Sequence, residues 1–329
     1  MRLLTTCVGS FPLEFSKENV ERVISDLYSI GIDYAPYPQL RSFIDMFLES
    51  LIKNEKLLII KGKYIIKNVE ELKLDFNILE IKEAEFSVSY LRERGISFKG
   101  LRAPITGPLT LAFQILTEPE GDPLKSSIIR DKELIFKFFI DYICSYINYF
   151  TNLGYDFIVL DEPILSVIVG AKKIMFNYSI DDLVEIYSKI FKNSRAKLNG
   201  IHVCGRLPKL LKEVLLHVDN LKVLDHEHKS VPENLEYYTK DDVERYDKFL
   251  SIGVVSSRDP EIESITEVES IVRRAYEKYG ERLMFVKPDC GFAPLRSLKD
   301  YSLEKAYSIA LEKLKNIKKV VDKLCNVFK

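Results

Sequence analysis

The sequence carries almost no net charge, because its 48 lysines and arginines nearly balance its 49 aspartates and glutamates. The two signs are mixed along the chain, as on a solvated surface, and no basic patch indicates a nucleic-acid binder. The chain also lacks an apolar run long enough to span a bilayer. Its first residues lack the basic-then-apolar order of a signal peptide. We therefore expect a cytoplasmic protein that binds neither nucleic acid nor membrane.

Cysteine is too sparse to form a disulfide framework, with five residues scattered over 329. In a reducing compartment such cysteines are core residues, metal ligands or nucleophiles. The sequence has no linker rich in proline, glycine or serine, no low-complexity tract and no repeat with a signature of its own. It is therefore interpreted as one catalytic domain over residues 1–329.

Short β-rich runs alternate with amphipathic helical patterns along the chain. The predicted strands are Leu3–Val8, Ile32–Tyr34, Gly100–Ile105, Phe157–Leu160, Gly200–Val203, Val223–Asp225, Phe249–Val254 and Leu283–Val286. Alternation of this kind indicates an α/β protein with a parallel sheet, and eight units over this length predict a (β/α)₈ TIM barrel. The segment near 53–80 does not fit the repeat, and we interpret it as an inserted strand pair or excursion.

Polar, reactive and turn-forming residues follow these strands. They include Gly9-Ser10, Thr106-Gly107-Pro108, Asp161-Glu162-Pro163, His202 with Cys204, His226-Glu227-His228 and Pro288-Asp289-Cys290-Gly291. Active sites of parallel barrels are built at the carboxyl ends of the strands. This end of the barrel is therefore the predicted active site.

His202-Val203-Cys204 places an imidazole and a thiol at positions i and i+2. On an extended strand end these two side chains point to the same side. Cysteine is commonly a small buried hydrophobe, so the pair is a weak signal alone. Cys290 after the last strand strengthens it, and Glu227 after the next strand could add an oxygen ligand. Nitrogen and sulfur donors suit Zn²⁺, and ligands dispersed over separate strands are typical of a catalytic site.

Taken together, these residues resemble the catalytic C-terminal barrel of cobalamin-independent methionine synthase. The similar pieces run in the family's order over nearly the whole chain: Thr5–Pro12, Ile105–Pro108, Asp161–Pro163, His202–Cys204, Glu227 and Pro288–Gly291. The resemblance implies a homocysteine S-methyltransferase that makes methionine. It implies zinc ligands at His202, Cys204, Glu227 and Cys290. It also implies homocysteine binding by Gly9, Ser10 and Asp161, with Asp161 paired to the ammonium group.

The sequence departs from the family's long form in ways that bear on the methyl donor. The long form has a second, N-terminal barrel, so this chain resembles the short form of archaea and some bacteria. The long form stacks folate on tryptophan, which is absent here. Ser257-Arg258-Asp259-Pro260 stands where the long form carries a proton-donating histidine. The donor is therefore open between a corrinoid or corrinoid protein and a pterin-type carrier.

Two other functions fit parts of the pattern. His202-Val203-Cys204-Gly205 also resembles zinc methyltransferases that act on corrinoid proteins with coenzyme M as the thiol. The chain could instead be a non-catalytic companion subunit of a split methionine synthase. Glu227 and the Gly9–Pro12 opening favour the methionine synthase interpretation, and a complete ligand set argues against a non-catalytic subunit.

Overall fold

The computed structural model describes residues 3–69, 72 and 79–327, and its main feature is a ring of eight parallel strands. In chain order the strands are β1 (Leu4–Thr5), β2 (Tyr34–Pro36), β3 (Leu57–Ile60), β4 (Lys63–Ile66), β5 (Gly100–Thr106), β6 (Ile115–Leu116), β7 (Phe157–Asp161), β8 (Leu198–Val203), β9 (Val223–His226), β10 (Phe249–Gly253) and β11 (Leu283–Lys287). The sheet runs β1-β11-β10-β9-β8-β7-β5-β2. A parallel bridge from Thr6 to Tyr34 brings its two edges together, so the predicted TIM barrel is confirmed.

Helices connect the strands and cover the outside of the barrel. In the described part of the chain they are α1 (Lys17–Ile30), α2 (Asp45–Lys53), α3 (Lys82–Arg94), α4 (Pro108–Gln114), α5 (Pro123–Ser126), α6 (Lys132–Leu134), α7 (Ile140–Leu153), α8 (Leu165–Ile168), α9 (Ile180–Lys192), α10 (Lys209–His217), α11 (Lys240–Arg245), α12 (Ile265–Tyr279) and α13 (Leu303–Cys325). A π-helical turn, Ile135–Phe139, joins α6 to α7. None of the described helices combines the length and apolarity needed to cross a membrane.

The first barrel strand is shorter than the sequence predicts, and the second begins later in the chain. The predicted strand Leu3–Val8 is restricted to Leu4–Thr5, because the chain leaves the sheet to form the wall of the site. The predicted strand Ile32–Tyr34 begins instead at Tyr34. Its first residue belongs to the end of α1, where Gly31 adopts a left-handed conformation and the Ile32 amide donates to the Leu27 carbonyl. This motif satisfies the last carbonyls of the helix and delays the strand.

Residues of each strand alternate between the helices and the barrel interior. The bottom of the interior is an apolar cluster of Phe157, Val159, Val223, Met284 and Phe285, in which the rings of Phe157 and Phe285 stack at 5.0 Å. Full burial of one such ring contributes about 2–3 kcal/mol. Toward the carboxyl ends the interior becomes polar. This polar layer, formed by Arg102, Asp225 and Lys287, lies directly below the candidate site.

The segment near 53–80 forms a small sheet of its own. Strands β3 and β4 pair antiparallel, and β6 adds a parallel third strand at the edge of β4. Residues 70–71 and 73–78 of the segment lie outside the described residues. The small sheet is separate from the eight-stranded one, so the ring of parallel strands is uninterrupted.

Candidate metal and substrate site

Three soft ligands meet at the carboxyl ends of β8 and β11. His202 is the penultimate residue of β8 and Cys204 directly follows that strand, so their side chains point to the same side. The Nε2 atom of His202 lies 3.0 Å from Sγ of Cys204, which lies 3.3 Å from Sγ of Cys290. All three ligand atoms lie within 4.8 Å of one another. The sequence-predicted residues His202, Cys204 and Cys290 are therefore brought together.

The two thiols form a tightly coupled pair. The pKa of Cys290 is held well below its usual range because its sulfur accepts a hydrogen bond from Cys204; the nearby His202 and Lys287 act in the same direction, against the effect of burial. The pKa of Cys204 is raised by that hydrogen bond and by burial. One imidazole nitrogen and two sulfurs at one point form a donor set that fits a tetrahedral metal such as Zn²⁺. The fold thus provides a possible His/Cys/Cys metal site.

Glu227 lies beside the three ligands but does not belong to the group whose ligand atoms lie within 4.8 Å of one another. It follows β9, is 4% exposed, and its Oε1 atom has no hydrogen-bond partner among the described residues. The exposed guanidinium of Arg258 lies 3.9 Å from Oε1. Burial raises the pKa of Glu227, with Cys290 and Asp289 adding to the rise. A buried carboxylate oxygen without a partner beside a metal-type donor set is suited to an additional, mobile ligand.

A cavity of about 330 Å³ opens onto the three ligands. Its lining includes Ser10, Gln39, Asp161, His202, Cys204 and Cys290. Two loops meet at its wall, where the Phe292 amide donates to the carbonyl oxygen of Ser10 at 2.8 Å. A Cβ atom on Gly291 would lie 2.0 Å from the Ser10 Oγ, so only glycine fits here without displacement. Gly9 precedes this wall with φ +133°, a conformation suited to glycine.

Asp161 ends β7 and faces the same cavity. It pairs in register with His202 on β8, is 6% exposed, and its Oδ1 atom has no hydrogen-bond partner among the described residues. Burial raises its pKa to about 7 despite the opposing charges of His202 and Arg102. A buried carboxylate with an unpaired oxygen at the cavity is suited to a cationic group of a ligand.

Glu162, the next residue, has a different position. Its carboxylate accepts hydrogen bonds from the backbone amides of Leu109 and Thr110 and from the hydroxyl of Tyr187. Burial raises its pKa to about 7 even with these donors. Glu162 therefore fastens the end of β7 to the start of α4, and it fixes the backbone that presents Asp161.

Two polar residues near the ligands escape the sequence-based interpretation. Gln39 is 3% exposed and lines the cavity, but none of the predicted motifs includes it. Asp225 is fully buried, and its Oδ1 lies 2.7 Å from Nδ1 of His202. An aspartate near the end of a buried strand, two residues before Glu227, is the signal that could have identified it. The predicted Gly9 does not line the cavity; its neighbour Ser10 does.

Comparisons with known proteins indicate which family this chain resembles. Residues 148–310 match the model of the catalytic domain of cobalamin-independent synthases. A methionine synthase of Methanocaldococcus jannaschii is 25% identical over 96% of this chain and 97% of its own length. The methionine synthase of Methanothermobacter thermautotrophicus is 24% identical over 89% of this chain and 94% of its own length. These matches confirm the resemblance to the cobalamin-independent methionine synthase family.

Solved structures with low sequence identity share the fold of this chain. A B12-independent methionine synthase from a Shewanella species, solved in complex with selenomethionine, superposes with a TM-score of 0.66 at 15% identity, covering 99% of this chain and 100% of its own. A methyltransferase from Methanosarcina mazei superposes with a TM-score of 0.67 at 15% identity, covering 98% of this chain and 94% of its own.

The matched catalytic domain and the methionine synthase relatives support a methyltransferase enzyme, and the family implies homocysteine and a methyl donor as substrates. The range matched by the family model contains Asp161, His202, Cys204, Glu227 and Cys290. Gly9 and Ser10 precede that range, and Ser10 lines the same cavity as the three ligands.

Proposed function

We propose that this chain makes methionine by transferring a methyl group to the thiol of homocysteine at a zinc site. The observation that carries the proposal is the meeting of His202, Cys204 and Cys290 within 4.8 Å, at a cavity that also holds Asp161. The proposal treats the whole chain as one catalytic domain acting in the cytoplasm.

His202, Cys204 and Cys290 would hold the metal, and Glu227 would be the fourth ligand. Bound there, zinc supplies a Lewis acid that keeps an acceptor thiol ionised at neutral pH. The Oε1 atom of Glu227 supports its assignment as the ligand that gives way, because no described residue donates a hydrogen bond to that atom. Arg258, at 3.9 Å, offers a charge partner for the carboxylate in that event.

The amino-acid end of homocysteine would lie against Asp161 and the Gly9-Ser10 turn. The unpaired Oδ1 of Asp161 supports a salt bridge with the substrate ammonium. The Ser10 hydroxyl and the turn amides supply donors for the carboxylate. These contacts would orient the sulfur toward the ligand group, since Asp161 and His202 are adjacent across β7 and β8.

The chemical step transfers one methyl group. The acceptor thiol loses its proton, and the sulfur lone pair forms a bond to the methyl carbon. The bond between that carbon and the donor breaks, with its electron pair remaining on the donor. Burial of the site keeps water from the electrophilic carbon, because His202 and Asp161 are nearly inaccessible.

A methylated corrinoid, free or protein-bound, is the proposed donor. A methylpterin needs a proton on its leaving nitrogen and a flat stacking platform. The sequence has no tryptophan, and the loop after β10 reads Ser256-Ser257-Arg258-Asp259. In that loop the Ser256 hydroxyl oxygen accepts hydrogen bonds from the amides of Arg258 and Asp259. A methyl–cobalt bond releases its methyl group without protonation of the leaving group.

The test is a methyl-transfer assay of the zinc-loaded chain with homocysteine and, separately, coenzyme M as acceptor. Methylcobalamin, a methylated corrinoid protein and triglutamyl methyltetrahydrofolate serve as donors. We expect methionine, with a corrinoid donor at least about tenfold faster than methylfolate, or ~1.4 kcal/mol in the barrier. A preference for coenzyme M would contradict the acceptor. No transfer with any donor would favour a companion subunit and contradict the proposal.

A further inference from the structure

A buried carboxylate, Asp225, joins the ligand His202 to the interior of the barrel. Its Oδ1 atom lies 2.7 Å from Nδ1 of His202 and 2.8 Å from Nζ of Lys287. Its Oδ2 atom accepts hydrogen bonds from Arg102 at 2.9 Å and from the hydroxyl of Ser251 at 3.1 Å. All four lone-pair directions of the carboxylate are thus engaged, and Asp225 is 0% exposed.

This contact determines which nitrogen of His202 is free. A carboxylate accepts hydrogen bonds and donates none when ionised, so Nδ1 of His202 carries the proton that it donates. In the neutral imidazole the lone pair then lies on Nε2, the atom that points at Cys204 Sγ 3.0 Å away. Histidines that bind metals generally donate their other ring nitrogen in this manner.

The two cations on Asp225 cost stability where they are. Arg102 and Lys287 are both 0% exposed, and the Nε and Nη2 atoms of Arg102 have no hydrogen-bond partner among the described residues. Its guanidinium lies 5.5 Å from the ring centroid of Phe157, which is a weak substitute for lost water. Apolar residues would fill such a position at lower cost, so the buried charge calls for an explanation other than stability.

Lys287 also reaches the loop that carries Cys290. Its ammonium donates hydrogen bonds to the carbonyl oxygens of Pro288 at 3.0 Å and Asp289 at 2.9 Å. Asp289 in turn accepts hydrogen bonds from the amides of His228, Lys229 and Ser230, just after Glu227. The polar layer is therefore in contact with all the loops that present candidate ligands.

The formal charges of the two layers are complementary. Two cations and one carboxylate leave one positive charge in the polar layer. Two thiolates and the Glu227 carboxylate around a divalent ion leave one negative charge in the layer above. In a buried site of low dielectric, opposite charges in adjacent layers attract each other more strongly than they would in water.

We propose that Asp225 is a positioning residue that fixes the tautomer and orientation of His202, and that Arg102 and Lys287 hold Asp225 and offset the negative charge of the ligand set. The inference rests on the proposed metal site and extends it to three residues that do not line the cavity. Its consequence is that metal affinity depends on charges in the barrel interior.

The test measures zinc affinity by competition with a chromogenic chelator, without homocysteine or donor. We expect Asp225→Asn to bind zinc about 10- to 100-fold more weakly, the usual range for such partners of metal ligands. Arg102→Met should lose about tenfold, whereas Arg102→Lys, which keeps the charge, should remain within about threefold of the parent. If Asp225→Asn does not fold, the Met and Lys variants at position 102 decide the question.

Lys248→Met is the matched control. Lys248 is another buried lysine, and it donates hydrogen bonds to the carbonyls of Val218 and Leu221 at the opposite end of the barrel. The Lys248→Met variant should have a lower melting temperature than the parent and the same zinc affinity. Equal losses of affinity in Lys248→Met and Asp225→Asn would reduce the effect to general destabilisation and overturn the inference.

A spectroscopic readout tests the tautomer directly. Long-range ¹H–¹⁵N spectra of the zinc-loaded chain, labelled at its four histidines, should show His202 protonated at Nδ1. Protonation at Nε2 would overturn the inference. Unchanged affinities in folded variants would also overturn it and leave the methyl-transfer proposal intact. A chain that binds zinc as inferred but transfers no methyl group would contradict the methyl-transfer proposal and leave this inference intact.

Discussion

Gly291 offers the sharpest steric test of the substrate site. In Gly291→Ala the new Cβ would lie 2.0 Å from Oγ and 3.0 Å from Cβ of Ser10. The hydroxyl can rotate away, but the remaining contact forces the Ser10 backbone to shift by a few tenths of an ångström. If Ser10 donates to the homocysteine carboxylate, loss of that charged hydrogen bond costs about 1.5–3 kcal/mol. We expect KM for homocysteine to rise roughly 10- to 150-fold.

The assay compares KM and zinc content for four proteins: the parent, Gly291→Ala, Ser10→Ala and the double variant. Because both single changes remove the same hydrogen bond, their effects should not add, and the double variant should resemble Ser10→Ala. Zinc content should stay constant. Additive effects would show that Gly291 acts apart from Ser10. An unchanged KM in both single variants would remove the turn from the substrate site.

Four further substitutions test other parts of the molecule. Cys204→Ser and Cys290→Ser should each abolish the binding of about one zinc per chain, as measured by metal analysis; retained zinc would contradict the ligand assignment. Asp161→Asn should weaken homocysteine far more than a thiol without the amino-acid end, and equal losses would remove Asp161 from ammonium binding. Burial opposes ionisation of Asp33, but hydrogen bonds from Lys99 and from Thr5 outweigh it and lower the pKa. The stabilisation is therefore present above the unfolded pKa of about 3.9 and lost as pH falls through the lower folded value. Asp33→Asn should lower the free energy of unfolding at pH 7 and differ less from the parent below about pH 4; a constant difference in denaturant titrations would refute this.

The barrel was predictable from sequence because its central strands are short, apolar and separated by helical patterns. Strands β7 to β11 differ from their predicted bounds by at most two residues at either end. The errors at β1 and β2 have a local cause that periodicity does not reveal. Ile32 resembles a strand residue in composition, but its amide closes the end of α1 through the Leu27 carbonyl. Hydrogen bonding by one backbone group decided where the strand begins.

The candidate site was predictable to the extent that it depends on strand ends. His202, Cys204 and Cys290 follow from the rule that parallel strands present reactive residues at one edge. The polar layer beneath them does not, because Arg102 and Asp225 are 123 positions apart and meet only across the closed barrel. Glu227 follows the correct strand, yet its carboxylate lies outside the group of three. Side-chain direction at a loop is set by packing, which spacing does not encode.

X-ray absorption at the zinc edge of the loaded chain, before and after addition of homocysteine, tests the central claim most directly. The account predicts two sulfur neighbours, from Cys204 and Cys290, before addition and three afterwards, with release of about one proton near neutral pH. A sulfur count that stays at two when homocysteine saturates the protein would contradict the claim that this site activates the thiol.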